Sequence, residues 1–315
     1  MANARAIVKR RKAVRNIRKI TQTMQLIATA RYQKCSQRAT ATKPYTEKIS
    51  EMIQAVVGTD AVQRLLKSIS EASDDSGGEA SQDSKMKTLR VLQRNEGVDR
   101  SIMVVYTSNR GLCGAYNAAV LRTAQAHKNK LSDEGVTPSI EMFGKKGISY
   151  FRFLGEPVAS GTTDVEDRIA FSRVGEMADR FIDEYVNGRI ARVDVAYMQF
   201  HSVGLQTAVV AQLLPIEPPK VEAGAETGPA ADFEFSPPPE QLLTRLVPET
   251  IKIRLFQYFN DAIVSEQVSR MIAMKAATDA AGDMITFLSR QYNRARQSQI
   301  TLELLDIMGG AEALK

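Results

Sequence analysis

Residues 248–308 read PETIKIRLFQYFNDAIVSEQVSRMIAMKAATDAAGDMITFLSRQYNRARQSQITLELLDIM. Pro248 is tolerated in a first helical turn, and no proline follows it. Apolar or small residues then recur three or four apart at Val264, Val268, Met271, Met274, Ala277, Ala281, Ile285, Leu288, Tyr292 and Ala295. That spacing holds one stripe on one helix face. Gly282 is the only glycine before Gly309-Gly310, where the helix is expected to stop. About 60 residues at ~1.5 Å each make a rod of roughly 90 Å, far beyond the usual ~11–12 residues of a globular helix. Such a rod cannot bury its stripe in an ordinary domain, so it needs a long partner.

The candidate partner is the other end of the chain. Residues 3–57 predict a second long helix, with Ile7, Val14, Ile17, Met24 and Ile27 at three- or seven-residue intervals and Ile20 and Ala28 filling in. Pro44 should kink this helix or cost it one backbone hydrogen bond. The two rods bracket everything between them, so they can run antiparallel against each other.

The pattern changes in the middle. Ser101–Tyr106 is a short apolar run bounded by turn residues, which reads as a buried strand. Helix is expected from Tyr116, strand at Ser139–Phe143, helix at Lys145–Leu154, strand at Pro157–Ser160 and helix at Arg168–Val186. Strands at Val193–Phe200 and Thr207–Leu214 close the set and pair as a hairpin across Ser202–Leu205. Strands alternating with helices imply a parallel or mixed sheet covered by helices. Ser68–Ser84 is polar and acidic, a loop that buries nothing. Pro215–Pro239 holds seven of the eleven prolines and reads as a linker or extended surface loop. The expected fold is α+α/β: an antiparallel coiled coil of long N- and C-terminal helices with an inserted Rossmann-like α/β domain. Its parts are a helix over 1–57, a linker or insert over 58–99, the α/β domain over 100–214, a Pro-rich loop leading into the helix over 215–247, and the C-terminal helix over 248–315.

Composition narrows the function. The 315 residues include no Trp and only 6% aromatics, a poor match to a large aromatic ligand pocket. No apolar run approaches the roughly 18–20 residues needed to span a bilayer. The net charge of +6 is uneven: from Met1 to Thr46 there is no Asp or Glu, yet twelve Lys and Arg fall there. The basic end is therefore expected to meet a nucleic acid, an anionic lipid or acidic protein loops. The same composition suits a transit peptide, but the periodicity runs through Met24 and Ile27 without a cleavage-like break. No aromatic or glycine pattern of an RNA module accompanies it. Cys35 and Cys113 are far apart and make neither a metal spacing nor a redox pair, so two reduced thiols are expected.

Two candidate sites stand out. Gly111-Leu112-Cys113-Gly114 lies between a strand and a helix, where a phosphate loop would sit. It lacks the three-glycine fingerprint and a Lys-Ser/Thr pair, so a tight structural turn is the expected reading and an α/β phosphate-binding enzyme the alternative. Cys113 as a nucleophile would need His127 or His201, and neither comes with a motif. The second site is the tip of the C-terminal rod. At 100° per residue, Ile300, Leu302, Leu304, Leu305, Ile307 and Met308 span about 220° of the helix, whereas one helix partner covers a stripe of roughly 100°. The tip is expected to be enclosed by something else as well, the rival being a frayed end with chance hydrophobes. Just before it, Tyr292–Gln297 gathers polar donors suited to carboxylates or carbonyls of a partner.

The segments Ile17–Met24, Ser108–Gly114, Ser265–Met271 and Tyr292–Thr301, the last running on to Gly309-Gly310-Ala311, together resemble the gamma subunit of F-type ATP synthases. They fall in the family's order across both ends and the middle. The resemblance implies a non-catalytic central-stalk rotor subunit of a proton- or sodium-translocating complex. Its terminal helices would form a coiled coil inside a ring of alpha and beta subunits, with the α/β domain as a foot against the epsilon subunit and the membrane c-ring. It implies that Arg270, Arg296, Gln297 and Thr301 are polar contacts with the beta subunit and that Met24 faces a beta-subunit loop. It implies no catalytic residue, cofactor, metal or nucleic acid, and a peripheral place on the cytoplasmic face of a bacterial cell membrane. Two departures are Ser68–Ser84 and Val221–Ala231, which look longer than the common bacterial pattern. The regulatory cysteine pair of photosynthetic relatives is missing, so thiol control of that kind is not expected.

Overall fold

The computed structural model describes residues 4–57, 90–92, 94–95, 97–165, 167–216 and 239–313. The expected loops at Ser68–Ser84 and Val221–Ala231, and nearly all of Pro215–Pro239, lie outside the described residues. The elements are α1 (Ala4–Val57), a 3-10 turn (Arg90–Leu92), β1 (Arg100–Tyr106), α2 (Tyr116–Asp133), β2 (Thr137–Phe143), α3 (Lys145–Phe153), β3 (Ser160–Thr162), α4 (Phe171–Val186), β4 (Arg192–Phe200), β5 (Gln206–Leu214) and α5 (Pro239–Ala313). The chain forms two compact units, one of Met1–Arg31, Leu112–Gly114 and Gln267–Lys315, the other of Tyr32–Gly111 and Ala115–Glu266.

The first unit is an antiparallel helix pair. Ile7 and Val14 of α1 are buried against Ala281 and Leu288 of α5, flanked by Ile285, Tyr292 and Ala295. The Arg11 guanidinium sits 5.1 Å from the centre of the Tyr292 ring. The hydroxyls of Thr21 and Thr278 lie 2.8 Å apart. As α1 numbers rise, their α5 partners fall, which defines an antiparallel seam. On α5 that seam is Met274, Thr278, Ala281, Ile285, Leu288, Tyr292 and Ala295, spaced alternately four and three, as knobs of a coiled coil require. On α1 it is Ile7, Val14, Thr21 and Ala28, one residue every seven, all buried.

The seam divides the periodic apolar set of α1. Ile17, Ile20, Met24 and Ile27 are 52, 57, 38 and 49% exposed, so they lie outside the seam. A pair of helices buries only a narrow strip, and the small Thr21 and Ala28 let the backbones approach there. On α5, Thr278 joins the seam.

The second unit holds a five-stranded sheet in the order β3-β2-β1-β4-β5. β1 pairs in parallel with β2 and β4, and β2 with β3, while β5 returns antiparallel to β4 as the expected hairpin. The centre of β1 is buried throughout Ser101–Tyr106, as its unbroken apolar run requires for a strand covered on both faces. The early part of α5 packs here: Phe259 meets Tyr106 and Phe143 edge-on at 5.4 and 5.0 Å, and Tyr258 stacks on Tyr197 at 4.7 Å. The Tyr116 hydroxyl donates to Ala262 O and the Ser265 hydroxyl to Met198 O, each at 3.2 Å. From α1, Tyr32 lies 6.3 Å from Phe200, and Ile49 is buried with Ile253.

Several boundaries move. The final helix opens at Pro239 and carries Pro248 inside it. Pro239 ends a proline run, so it is the last residue free to serve as a first-turn proline. Gly309-Gly310 does not stop the helix, which continues to Ala313; neither glycine takes a positive φ. Glycine permits a left-handed cap without compelling one. The third strand lies at Ser160–Thr162 rather than Pro157–Ser160, where pairing with Glu141–Phe143 places it. α1 runs unbroken through Pro44.

Candidate functional site

The turn after β1 was the candidate phosphate loop, and the residues that lead into it are bonded to the start of α3. The first amides of α3, which could otherwise hold an anion, are filled from within: Lys145 N–H donates to Asn109 Oδ1 (3.1 Å), Lys146 N–H to Ser108 O (3.2 Å) and Gly147 N–H to Thr107 Oγ1 (2.9 Å). Ser108 N–H donates to Asn117 Oδ1 at 2.9 Å. An anion cradle needs free donors at a helix start; the start of α3 gives these three to residues 107–109, whereas the helix that follows Gly111–Gly114 is α2. In the other unit, Leu112 and Gly114 adopt φ of 64° and 57°. A side chain on Gly114 would touch Ala273 Cβ at 3.6 Å, so glycine suits both the backbone and the close approach of α5. The turn is a packing device.

The candidate thiol is enclosed. Cys113 is buried. His127 instead faces Asp194, with Nε2 3.0 Å from Oδ2. Asp194 is fully buried on β4 and is gripped by Arg192, Nε to Oδ2 at 2.7 Å and Nη2 to Oδ1 at 2.8 Å. This ion-pair cluster ties α2 to the sheet. Among the described residues no group of His, Cys, Asp and Glu is placed to hold a metal.

The helix pair carries the other candidate residues at two levels. At the end of the pair nearer Gln267 are Met24, 38% exposed, and Arg270, half-buried, with Nη1 donating to Gln267 Oε1 at 3.2 Å. The seam register, in which Thr21 meets Thr278, puts Met24 opposite Lys275, about a turn and a half from Arg270. Arg296, Gln297 and Thr301 lie about 26 residues, or roughly 39 Å, further along α5. All three are exposed, and the Thr301 hydroxyl donates back to Gln297 O at 2.9 Å. The five residues are therefore not one site.

The tip follows from the same register. Tyr292 meets Arg11 and Leu288 meets Ile7 and Val14, so the first described residue of α1, Ala4, comes level with about Ala295. Beyond that point α5 has no companion among the described residues. Ile300, Leu302, Leu304, Leu305, Ile307 and Met308 are exposed by 44 to 69%. Six large apolar side chains around a bare helix end form an apolar surface without an internal partner. The sequence pattern identified these residues; the second exposed stripe, Ile17–Ile20–Met24–Ile27, was missed, and its signal was the strict seven-residue repeat that excludes it from the seam.

An antiparallel helix pair with an overhanging apolar tip is carried in one chain with a mixed, helix-covered sheet. A family model described as ATP synthase matches residues 3–314. The chain is 43% identical to the ATP synthase gamma chain of Rhodopirellula baltica over the full length of both, and 31% identical to that of Leptospira biflexa, again over all of both chains. It also superposes on a chain of the Euglena gracilis mitochondrial ATP synthase, in a structure of OSCP, F1 and c-ring, with a TM-score of 0.62 at 15% identity, covering 99% of this chain and 94% of that one. A chain from a structure of the Euglena rotor gives a TM-score of 0.59 at 16% identity, covering 94% and 98%. The chain belongs to the ATP synthase gamma-chain family. Its role is that of a central-stalk subunit rather than a catalytic one, in a membrane-associated complex. None of its described helices is long and apolar enough to cross a membrane.

Proposed function

We propose that this chain is the rotating shaft that couples ring rotation in the membrane to conformational change at catalytic sites on a surrounding alpha/beta ring. The observation that carries this reading is the bare tip: residues 296–313 outrun the described part of α1, and the apolar side chains between Ile300 and Met308 are exposed over about 220° of the helix. A sleeve of other chains is the environment that such a tip requires. Ile300, Leu302, Leu304, Leu305, Ile307 and Met308 would turn in that sleeve as a bearing.

An asymmetric rod turning in a ring presents a different side to each ring subunit. It biases each site by differential contact with its alternative states. Arg296, Gln297 and Thr301 would make the polar contacts with beta near the tip, and Met24 and Arg270 a second set lower down. Exposed hydrogen bonds worth roughly 0.5–1.5 kcal/mol each hold a state yet release on rotation. The acid-free stretch Met1–Thr46 suits acidic loops of the ring. The shaft would comprise 1–57 and 248–315, and the α/β domain over 100–214 would stand as a foot toward the epsilon subunit and the c-ring, on the cytoplasmic face of a bacterial membrane.

The test is Arg296→Ala or Gln297→Ala in the assembled complex. Both positions are exposed, so the isolated chain keeps its helix content while coupled ATPase activity and synthesis fall. Unchanged activity in both variants would remove the proposed tip contacts from the mechanism.

A further inference from the structure

We propose that the groove between α2 and α3 is a docking site for an acidic helical segment of another protein. This inference does not rest on the shaft reading, because the groove lies wholly on the sheet-bearing unit.

The groove has a volume of about 640 Å³. It follows α2 from Asn117 to Asn129, and Lys146 and Tyr150 of α3 form its other wall. The twelve helical steps from Asn117 to Asn129 make it about 18 Å long, room for some three turns of a docked helix. Its floor is apolar, with Leu121 buried beneath Ala118 and Ala126. Ala118, Arg122 and Ala126 form one row at four-residue spacing, and the small members leave a furrow that the ridge of another helix can enter.

Charge selects the occupant. Arg122 and Lys146 both line the groove, and no carboxylate does. Neither cation makes an ion pair among the described residues. The carboxylate just beyond the groove, Glu156, is taken by Lys128 at 2.6 Å. Two uncommitted cations over an apolar floor are complementary to a helix that carries Asp or Glu beside small apolar residues. A phosphate-bearing small molecule is the poorer match. The adjacent helix start has its amides filled by Asn109, Ser108 and Thr107, and Arg122, Lys146 and Tyr150 are all exposed, so the groove is too open to enclose a small ligand.

The experiment uses the full-length chain carrying Ala126→Cys, both alone and in the purified ATP synthase complex. The native thiols, Cys35 and Cys113, are buried and serve as the slow background. Maleimide labelling of the new thiol is expected to be several-fold slower in the complex than in the free chain. Adding Arg122→Glu with Lys146→Glu should restore the free-chain rate. In the wild-type complex a carbodiimide should couple Lys146 to an Asp or Glu in a helical segment of another chain, and that product should vanish in Lys146→Arg, which keeps the charge but not the reactive amine. Equal labelling rates in the two settings would overturn the proposal. So would protection that survives the double charge reversal, or a wild-type complex in which Lys146 couples to no carboxylate of another chain.

Discussion

Replacing Leu288 by alanine should destabilise the helix pair far more than the same change one residue earlier. Leu288 is 3% exposed and sits in the seam with Ile7, Val14 and Ala281, whereas Phe287 is 57% exposed. Leu→Ala removes three carbon groups; at about 0.8 kcal/mol each the lost transfer energy is about 2–3 kcal/mol. Little should be added for a cavity, because a two-helix seam is open at its edges and can relax or admit water, unlike an enclosed core. Phe287→Ala should stay within roughly 0.5 kcal/mol of the parent, as an exposed substitution does. Urea unfolding of the full-length chain, followed by far-ultraviolet circular dichroism, measures both. A double-mutant cycle with Val14→Ala adds a test of the pairing itself, with a coupling of about 0.5–1 kcal/mol expected for side chains that share one cluster. If Leu288→Ala costs no more than Phe287→Ala, or if the cycle closes without coupling, the seam is wrongly placed and the overhang argument fails with it.

Asp194→Ala should cost about 3 kcal/mol in the same assay, because it strands the Arg192 guanidinium and leaves His127 without its carboxylate; a loss below about 1 kcal/mol would show the cluster to be dispensable. Gly144→Ala should be among the worst single changes in the sheet unit, since φ is 99° there and a Cβ would overlap the Thr107 carbonyl; a variant with unaltered unfolding midpoint would contradict that geometry. Asp164 should titrate below its ordinary value of 3.8, because the Arg173 guanidinium holds its carboxylate through two hydrogen bonds. A depressed folded value means that the contribution is present above pH 3.8 and is lost as pH falls through the folded pKa; carbon-detected NMR titration should show Arg173→Gln moving it back up, and no movement would rule out that cause.

Much of this protein is written locally. The alternation of an apolar run with turn residues placed β1, β4 and β5; β1 and β4 are largely buried, as continuous hydrophobic side chains require, while β5 is the half-buried edge strand. Four-and-three spacing on the last helix likewise announced a coiled coil, and the wide apolar arc from Ile300 to Met308 announced a surface that one helix cannot cover. The family itself was legible in four short motifs, since their residues recur in order along the chain. Which residues of the first helix face inward was not legible: Ile17 and Met24 are more hydrophobic than Thr21 and Ala28, yet the seam takes the smaller pair. Hydrophobicity ranks side chains one at a time, whereas a seam is chosen by how closely two backbones can approach. The stop at Gly309-Gly310 and the start at Pro248 failed because glycine and proline set what a backbone is allowed to do, and neighbouring turns decide what it does. The filled amides at the start of α3 depend on Thr107, Ser108 and Asn109, some 36 to 40 residues away in sequence, meeting one helix end. The amino-acid order thus determined the periodicities, the strand runs and the exposed tip. Register, the vacancy or occupancy of donors and the point where one helix outruns the other belong to the tertiary structure, because each is a distance between segments that no local pattern encodes.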